Sequence, residues 1–309
     1  MNFEFKKMYN QITQNKRNTS ILLITFVLFF GLFGYTYGYV QGGTQEAGIG
    51  ALGIFGIIAI IYAMVSYYSS GKLTLAIAHA KEIEKKDHFE LFTTVENLTI
   101  TAGIPTPKIY LIDDTALNAF ATGRDPNHAA VAITKGLLDQ LNKSELQGVM
   151  AHELSHIKNY DIRLQSITVA LIGLIAMLSD VFLRSMFYGG QRRSRNNGKG
   201  GGILILVGFA LAILSPIIAK IMNLAISRQR EYLADASGAM LTRYPEGLAR
   251  ALEKIAADTE PLEVANKATA HLYIENPLRN EQGMKWMNSL FSTHPDVRER
   301  IKRLRGMNR

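Results

Sequence analysis

The chain has no cysteine among its 309 residues. This absence excludes a cysteine nucleophile, thiolate ligands for a metal and any disulfide. It agrees with a reducing cytoplasm, where thiols stay free in any case. A catalytic or metal-binding function must therefore rest on histidine, carboxylate or hydroxyl side chains.

A basic motif with interleaved aromatic residues, of the kind that binds nucleic acid, is also missing. The formal net charge is nevertheless +8. This charge is better explained by anchoring beside anionic lipid at the inner face of a membrane. The basic end of the chain, residues 298–309, is predicted to be a solvated helix beside that membrane. We therefore expect membrane lipid as a partner and no nucleic acid.

The most informative stretch is His152-Glu153-Leu154-Ser155-His156, which reads H-E-x-x-H. Two histidines four residues apart lie on one helical face, about one turn apart, so one zinc ion can accept both imidazoles. Glu153 points roughly 100° away from His152, where it can act as a general base. The pattern fixes only three positions, and a polar helix face without metal is the alternative.

A well-defined helix is predicted around this motif. Asn142 is a suitable N-cap, and Glu145 completes a capping-box pair with it. An apolar stripe runs beside the histidines and gives the helix a packed side. Its members are Leu146, Val149, Met150, Leu154 and Ile157.

Downstream, Glu231 and Asp235 are four residues apart and share a helical face. A catalytic zinc with two histidines needs a third protein ligand, for which Glu231 is the candidate. Asp235 is then expected to accept the spare ring N–H of a ligating histidine and so to fix its tautomer. The alternative is a solvated acidic pair that balances Arg228 and Arg230.

These motifs resemble those of one known family. HELSHIKNYD (152–161), SRQREYLAD (227–235), STHPDVRERI (292–301) and NAFATGRDPNHAAVAITKGLL (118–138) are similar to the HtpX-type membrane zinc metalloproteases. Those proteases are bacterial and archaeal relatives of the CAAX prenyl proteases. The resemblance covers essentially the whole chain. It implies an integral membrane gluzincin with its protease part facing the cytoplasm and a role in membrane-protein quality control under stress.

The resemblance also supports a second catalytic group. His294, in Thr293-His294-Pro295, is the candidate for stabilising the oxyanion, together with Arg298. Without the resemblance, His294 reads as an ordinary loop histidine.

A small β-sheet is predicted before the H-E-x-x-H helix. Residues 73–102 are expected to be mostly helical, and Gly103 and Pro105 end that helix. Short strands are then predicted at Lys108–Ile112, Ala116–Thr122 and Ala129–Thr134, separated by turn residues at Asp113-Asp114 and Asp125-Pro126-Asn127.

An exposed edge of this sheet can bind an extended substrate by strand addition. The resemblance places that edge near Asn118-Ala119-Phe120-Ala121. On spacing alone, these four residues are ordinary strand core.

Up to four apolar blocks are candidates for membrane spans. Residues 21–40 and 50–70 are uncharged and long enough to cross a hydrocarbon core of about 30 Å. Residues 167–188 and 203–226 form two further blocks, but each contains charge. A charge at the bilayer centre costs about 2.5–3.5 kcal/mol on insertion scales.

Charge and ligand placement together predict four regions. These are an N-terminal tail with two spans (1–71), a cytoplasmic part with the H-E-x-x-H helix (72–165), a membrane hairpin (166–226) and a second cytoplasmic part (227–309). Basic residues before the first span keep the tail inside the cell. The basic hairpin loop conflicts with this topology, so either the first two spans dominate or the hairpin does not fully cross.

The expected fold class is α+β and mainly helical, with the small sheet beside the H-E-x-x-H helix. The expected function is a zinc endopeptidase of the cytoplasmic membrane, with one Zn²⁺ per chain and unfolded or membrane proteins as substrates. A specialised CAAX-type processing protease and an inactive zinc-binding membrane scaffold are the alternatives. A transporter does not explain the paired zinc motifs. The sequence does not predict an oligomeric state.

Overall fold

The computed structural model describes residues 3–189, 227–258, 260, 262, 269, 272–274 and 295–307. The described residues form, in chain order, α1 (Phe3–Gly42), α2 (Gln45–Ile77), β1 (Lys81–Glu82), α3 (Phe89–Ala102), β2 (Lys108–Ile112), β3 (Ala119–Gly123), β4 (Ala129–Thr134), α4 (Lys135–Gln140), α5 (Lys143–Lys158), α6 (Asp161–Gly189), α7 (Arg228–Thr242), α8 (Pro245–Ala257) and α9 (Val297–Gly306).

The chain divides into two compact units. One comprises residues 1–16, 69–169 and 225–309, and the other comprises residues 17–68 and 170–224. The first unit holds the sheet and all elements of the site described below. The second unit holds most of α1 and α2.

Two helices are long and apolar enough to cross a membrane. They are Gln11–Gly42, with a mean hydropathy of 1.9, and Gln45–Ile77, with a mean hydropathy of 2.3. Only 22% and 17% of the most apolar stretch of these two helices is buried, so most of their apolar surface faces outward. They contain the predicted blocks at 21–40 and 50–70. Exposed apolar surface on this scale requires lipid or another apolar partner.

The other two predicted spans are only partly covered by the described residues. Helix α6 includes the block at 167–188, and its side chains are described as far as Ile175. The block at 203–226 lies outside the described residues. A total of four spans therefore stays a prediction.

The sheet has the strand order β1-β2-β4-β3. Strand β2 is parallel to β4, whereas β1 and β3 run antiparallel to their neighbours. Strands β2 and β4 have the predicted bounds. Strand β3 begins at Ala119 instead of Ala116, because the backbone N–H of Ala116 donates to the Asp114 side chain in a turn, at 2.9 Å.

Residues 73–102 are mostly helical, as predicted, but the helix is interrupted between α2 and α3. Residues 78–88 contain a turn with His79 at φ 51° and the short strand β1. Lys81 and Glu82 pair with Leu111 and Tyr110 of β2, and this long-range pairing overrides the helical pattern. Gly103 does end α3, in a left-handed conformation at φ 69° that glycine adopts without steric cost.

Helix α5 lies at the centre of the first unit. One face of the sheet packs against this helix, and the buried residues there include Val131 of β4 and Val149 of α5. Helices α7 and α8 pack on its other sides, and two glycines permit the close approach. A Cβ on Gly148 would lie 2.5 Å from the Leu248 nitrogen, and one on Gly238 would lie 3.0 Å from the His152 nitrogen. Gly238 therefore lets α7 approach the backbone of the first motif histidine.

Candidate metal centre

Helix α5 is anchored at its start by the capping box that the sequence predicts. The Asn142 side chain accepts from the Glu145 N–H at 3.1 Å, and Glu145 accepts from the Asn142 N–H at 2.9 Å. Lys254 of α8 contacts the same Glu145 carboxylate at 2.7 Å. These contacts fix the helix that carries both histidines.

Three side chains converge beside α5. His152 Nε2 and His156 Nε2 are 3.1 Å apart. The Glu231 carboxylate of α7 lies 3.6 Å from the first nitrogen and 3.7 Å from the second. All three residues are buried, with 1%, 5% and 4% of their surfaces exposed. One ligand atom from each lies within 4.8 Å of the others, which is the arrangement of three protein ligands around one ion.

A carboxylate lies on the far side of each histidine ring. His152 Nδ1 lies 3.0 Å from Asp235 Oδ1, and His156 Nδ1 lies 2.9 Å from Asp161 Oδ2. With both Nδ1 atoms protonated, both Nε2 lone pairs face the shared centre. Two buried lone pairs at 3.1 Å repel each other unless a cation lies with them. Two imidazoles and one carboxylate are a donor set that suits zinc.

The pKa values reflect the close pairing of opposite charges in this cluster. Burial alone would lower the pKa of His152, but Asp235 and Glu231 outweigh it and raise the pKa to about 9. Burial likewise would raise the pKa of Asp235, but the Arg300 guanidinium and His152 hold it at about 2. The pKa of His156 is raised by Glu231 and Asp161 against the effect of burial.

Glu153 lies beside this cluster and is not one of its three members. It is 2% exposed, and burial raises the pKa of its carboxyl. The Ala121 backbone, in β3, is close enough to this carboxyl to lower its pKa, a smaller effect than that of burial. Strand β3 therefore lies beside this carboxyl, whose raised pKa favours the capture of a proton.

Asp161 is a site residue that the sequence analysis did not assign. It is the last residue of the HELSHIKNYD stretch and follows α5 across a sharp turn, in which Tyr160 has φ 61°. Helical spacing cannot place it, because the chain reverses between His156 and Asp161. The sequence shows a carboxylate at position 161, but it does not show that this side chain lies against His156.

Arg300 is a second buried residue that the sequence analysis missed. It is fully buried and contacts both Asp235 oxygens, at 2.9 and 2.7 Å, and Arg300 Nη2 lies 3.5 Å from His152 Nε2. The prediction of a solvated terminal helix is wrong for Arg300 and Leu304, which share its buried face. Their four-residue spacing was the available signal. The predicted Arg298 is exposed, and its backbone N–H donates to Asp296.

Replacement of Arg300 by alanine should destabilise the fold strongly. It leaves the Asp235 carboxylate buried without its guanidinium partner, and breaking a buried ion pair in this way costs about 3–5 kcal/mol. The measurement is denaturant unfolding of the detergent-solubilised, zinc-free protein. Lys302→Ala, an exposed cation on the same helix, is the control and should change stability little. Equal stability of the two variants would show that the Arg300–Asp235 pair does not hold α9 in place.

The four residues predicted at the substrate edge lie in or next to β3, and all are buried. The Asn118 side chain accepts from the Ile274 N–H at 3.1 Å, and the Ala119 carbonyl accepts from the same N–H at 3.2 Å. The Phe120 ring packs edge-on against Tyr273, with ring centroids 5.2 Å apart. The predicted His294 lies outside the described residues.

A buried His-His-Glu cluster that can hold one metal ion, in a chain with two helices apolar enough to span a membrane, is the arrangement expected of a membrane metalloenzyme. The chain belongs to peptidase family M48, whose model matches residues 85–308. A Protease HtpX homolog of Dictyoglomus turgidum is 48% identical over 302 residues, covering 97% of this chain and 94% of that protein.

Other relatives match over a similar length. A Protease HtpX homolog of Tropheryma whipplei is 44% identical over 300 residues, covering 97% of this chain and 98% of that protein. One from Ligilactobacillus salivarius is 43% identical over 302 residues, with 97% and 100% covered. The crystal structure of S. mikatae Ste24p aligns with a TM-score of 0.47 and 19% identity, over 96% of this chain and 66% of that chain.

Proposed function

We propose that this protein is a zinc endopeptidase of the cell membrane that hydrolyses peptide bonds of misfolded or damaged membrane proteins. The observation that carries the proposal is the convergence of His152, His156 and Glu231 beside the buried carboxyl of Glu153. A structural zinc site would need only the ligands, whereas a hydrolase also needs a base beside them.

His152, His156 and Glu231 would hold the ion. When bound, zinc supplies a Lewis acid that lowers the pKa of water to about 7. Asp235 and Asp161 would keep each ring in the tautomer that presents Nε2 to the metal. Arg300 holds Asp235 in turn, through the two contacts at 2.9 and 2.7 Å.

Glu153 would move the proton. Its carboxylate accepts a proton from the attacking water and returns that proton to the nitrogen of the leaving amine. Burial raises the pKa of the Glu153 carboxyl, which favours its protonated form once it has taken the proton.

Substrate is expected to bind as an extended strand beside β3, the edge of the sheet nearest Glu153. Two positions on this strand already have partners, since Ala119 bonds to Ile274 and Gly123 bonds to Ser166. The substrate backbone would therefore pair around Ala121, next to the general base. His294 and Arg298 stay our candidates for stabilising the oxyanion.

The protease part is expected to face the cytoplasm. Four basic residues precede the first apolar block, and the loop between the first two blocks, 41–49, has none. This asymmetry favours an N-terminal tail that stays inside the cell. The second span then returns the chain to the cytoplasmic side before the sheet begins.

The proposal is tested with the detergent-purified chain, an unfolded membrane-protein fragment and a matched pair of prenylated and unprenylated peptides. We expect cleavage of the unfolded fragment, loss of cleavage after chelation and recovery on addition of zinc. Cleavage confined to the prenylated peptide would contradict the quality-control role and favour a CAAX-type processing enzyme. Bound zinc without cleavage of any substrate would favour a scaffold.

A further inference from the structure

A polar cluster connects the N-terminal helix to the candidate metal centre. Asn15 of α1 is fully buried and belongs to the same compact unit as the zinc motifs. Its amide nitrogen donates to the Asp161 carboxylate at 2.5 Å and to the Asn159 carbonyl at 2.9 Å. Both acceptors lie at the junction of α5 and α6.

Asp161 uses its two carboxylate oxygens for different partners. Oδ2 lies 2.9 Å from His156 Nδ1, whereas Oδ1 accepts from Asn15. Arg230, the residue before Glu231, contacts the same group: its Nη1 donates to the Asn15 side chain at 3.3 Å, and its Nε lies 3.6 Å from Asp161 Oδ1. Asn15 therefore contacts Asp161, which orients the expected ligand His156. It also contacts Arg230, which precedes the expected ligand Glu231.

The turn that presents Asp161 also needs support. Tyr160 is left-handed at φ 61°, a conformation that costs a residue other than glycine roughly 1–2 kcal/mol. Lys16, the neighbour of Asn15, lies over the Tyr160 ring at 4.3 Å, and Arg163 lies over it at 4.9 Å. Helix α1 therefore contacts three consecutive residues of the turn, at the Asn159 carbonyl, the Tyr160 ring and the Asp161 carboxylate.

We propose that Asn15 is a positioning residue for the metal centre, which it supports by holding Asp161 against His156. This inference rests on the proposed zinc site. It extends that site to residue 15, outside the 85–308 segment that matches the family model. Because α1 is a single helix from Phe3 to Gly42, the residue that supports the metal centre lies on the same helix as the apolar block at 21–40.

The test is the zinc dissociation constant of the full chain in detergent, measured by competition with a chelator. Loss of the hydrogen-bond partner of a metal ligand typically weakens binding about 10–100-fold; Asn15 acts one contact further out, through Asp161, so we expect Asn15→Ala to weaken it by about 3–10-fold. Gln14→Ala, the exposed neighbour on the same helix, is the matched control and should leave the constant unchanged.

A double-mutant cycle separates positioning from general stability. In an Asp161→Ala background, Asn15→Ala should weaken zinc binding less than about twofold, because the proposed support of the metal centre runs through Asp161. The absorption spectrum of the cobalt-substituted protein should change in Asn15→Ala and not in Gln14→Ala. Unchanged zinc affinity in Asn15→Ala, or an undiminished effect without Asp161, would overturn the inference. A wild-type chain that binds no zinc would refute the proposed function itself.

Discussion

Glu153→Gln should lower kcat for cleavage of an unfolded protein by about 10²–10⁴-fold, the usual contribution of a positioned general base. Glutamine keeps the shape of the side chain but cannot accept a proton from water. The bound zinc should stay at the wild-type level, because Glu153 lies outside the three-residue ligand group. Steady-state cleavage assays and metal analysis on the same preparation give both quantities.

Glu145→Gln is the matched control for this change. Glu145 lies on the same helix, is also buried, and can keep its capping role as glutamine. Its kcat should stay near the wild-type value. Loss of zinc in Glu153→Gln would mean that this residue holds the metal, and full activity would exclude it as the base.

Removal of the third expected ligand should have its main effect on the metal. Loss of the hydrogen-bond partner of a metal ligand weakens binding about 10–100-fold. We expect Glu231→Ala to weaken zinc binding more than that, because it removes a ligand of the ion itself. In this variant, zinc, which normally takes four ligands, keeps two protein ligands, the nitrogens of His152 and His156. Chelator competition measures the dissociation constant directly.

The control for Glu231→Ala is Glu253→Ala, a partly exposed glutamate on α8 that pairs with Arg305. It should bind zinc as tightly as the wild type. An unchanged constant in Glu231→Ala would remove Glu231 from the ligand set. A comparable loss in Glu253→Ala would show that the effect is a general loss of folding.

Local periodicity predicted the parts of the site that lie on single elements. The capping box at Asn142, the four-residue spacing of the histidines and that of Glu231 and Asp235 all follow from helix geometry. Strands β2 and β4 have the predicted bounds, because turn residues separate the strands of this segment. Each of these features is contained within about 20 residues of sequence.

The remaining features depend on contacts between distant segments. Asn15 meets Asp161 across 146 positions, and Arg300 meets Asp235 across 65. Asp161 is close to His156 in sequence, but its side chain reaches the His156 ring because of the left-handed turn at Tyr160. Strand β1 forms inside an apparently helical segment because β2 offers it a partner. No single-segment pattern encodes such pairings.

The central claim is that one zinc ion, held by His152, His156 and Glu231, makes this chain a peptidase. The most direct test is to titrate zinc into the chelator-stripped, detergent-solubilised protein while following cleavage of an unfolded substrate. We expect activity to rise in proportion to bound zinc and to saturate at one equivalent per chain. Activity that persists in the stripped protein, or that stays absent when one equivalent is bound, would contradict the account.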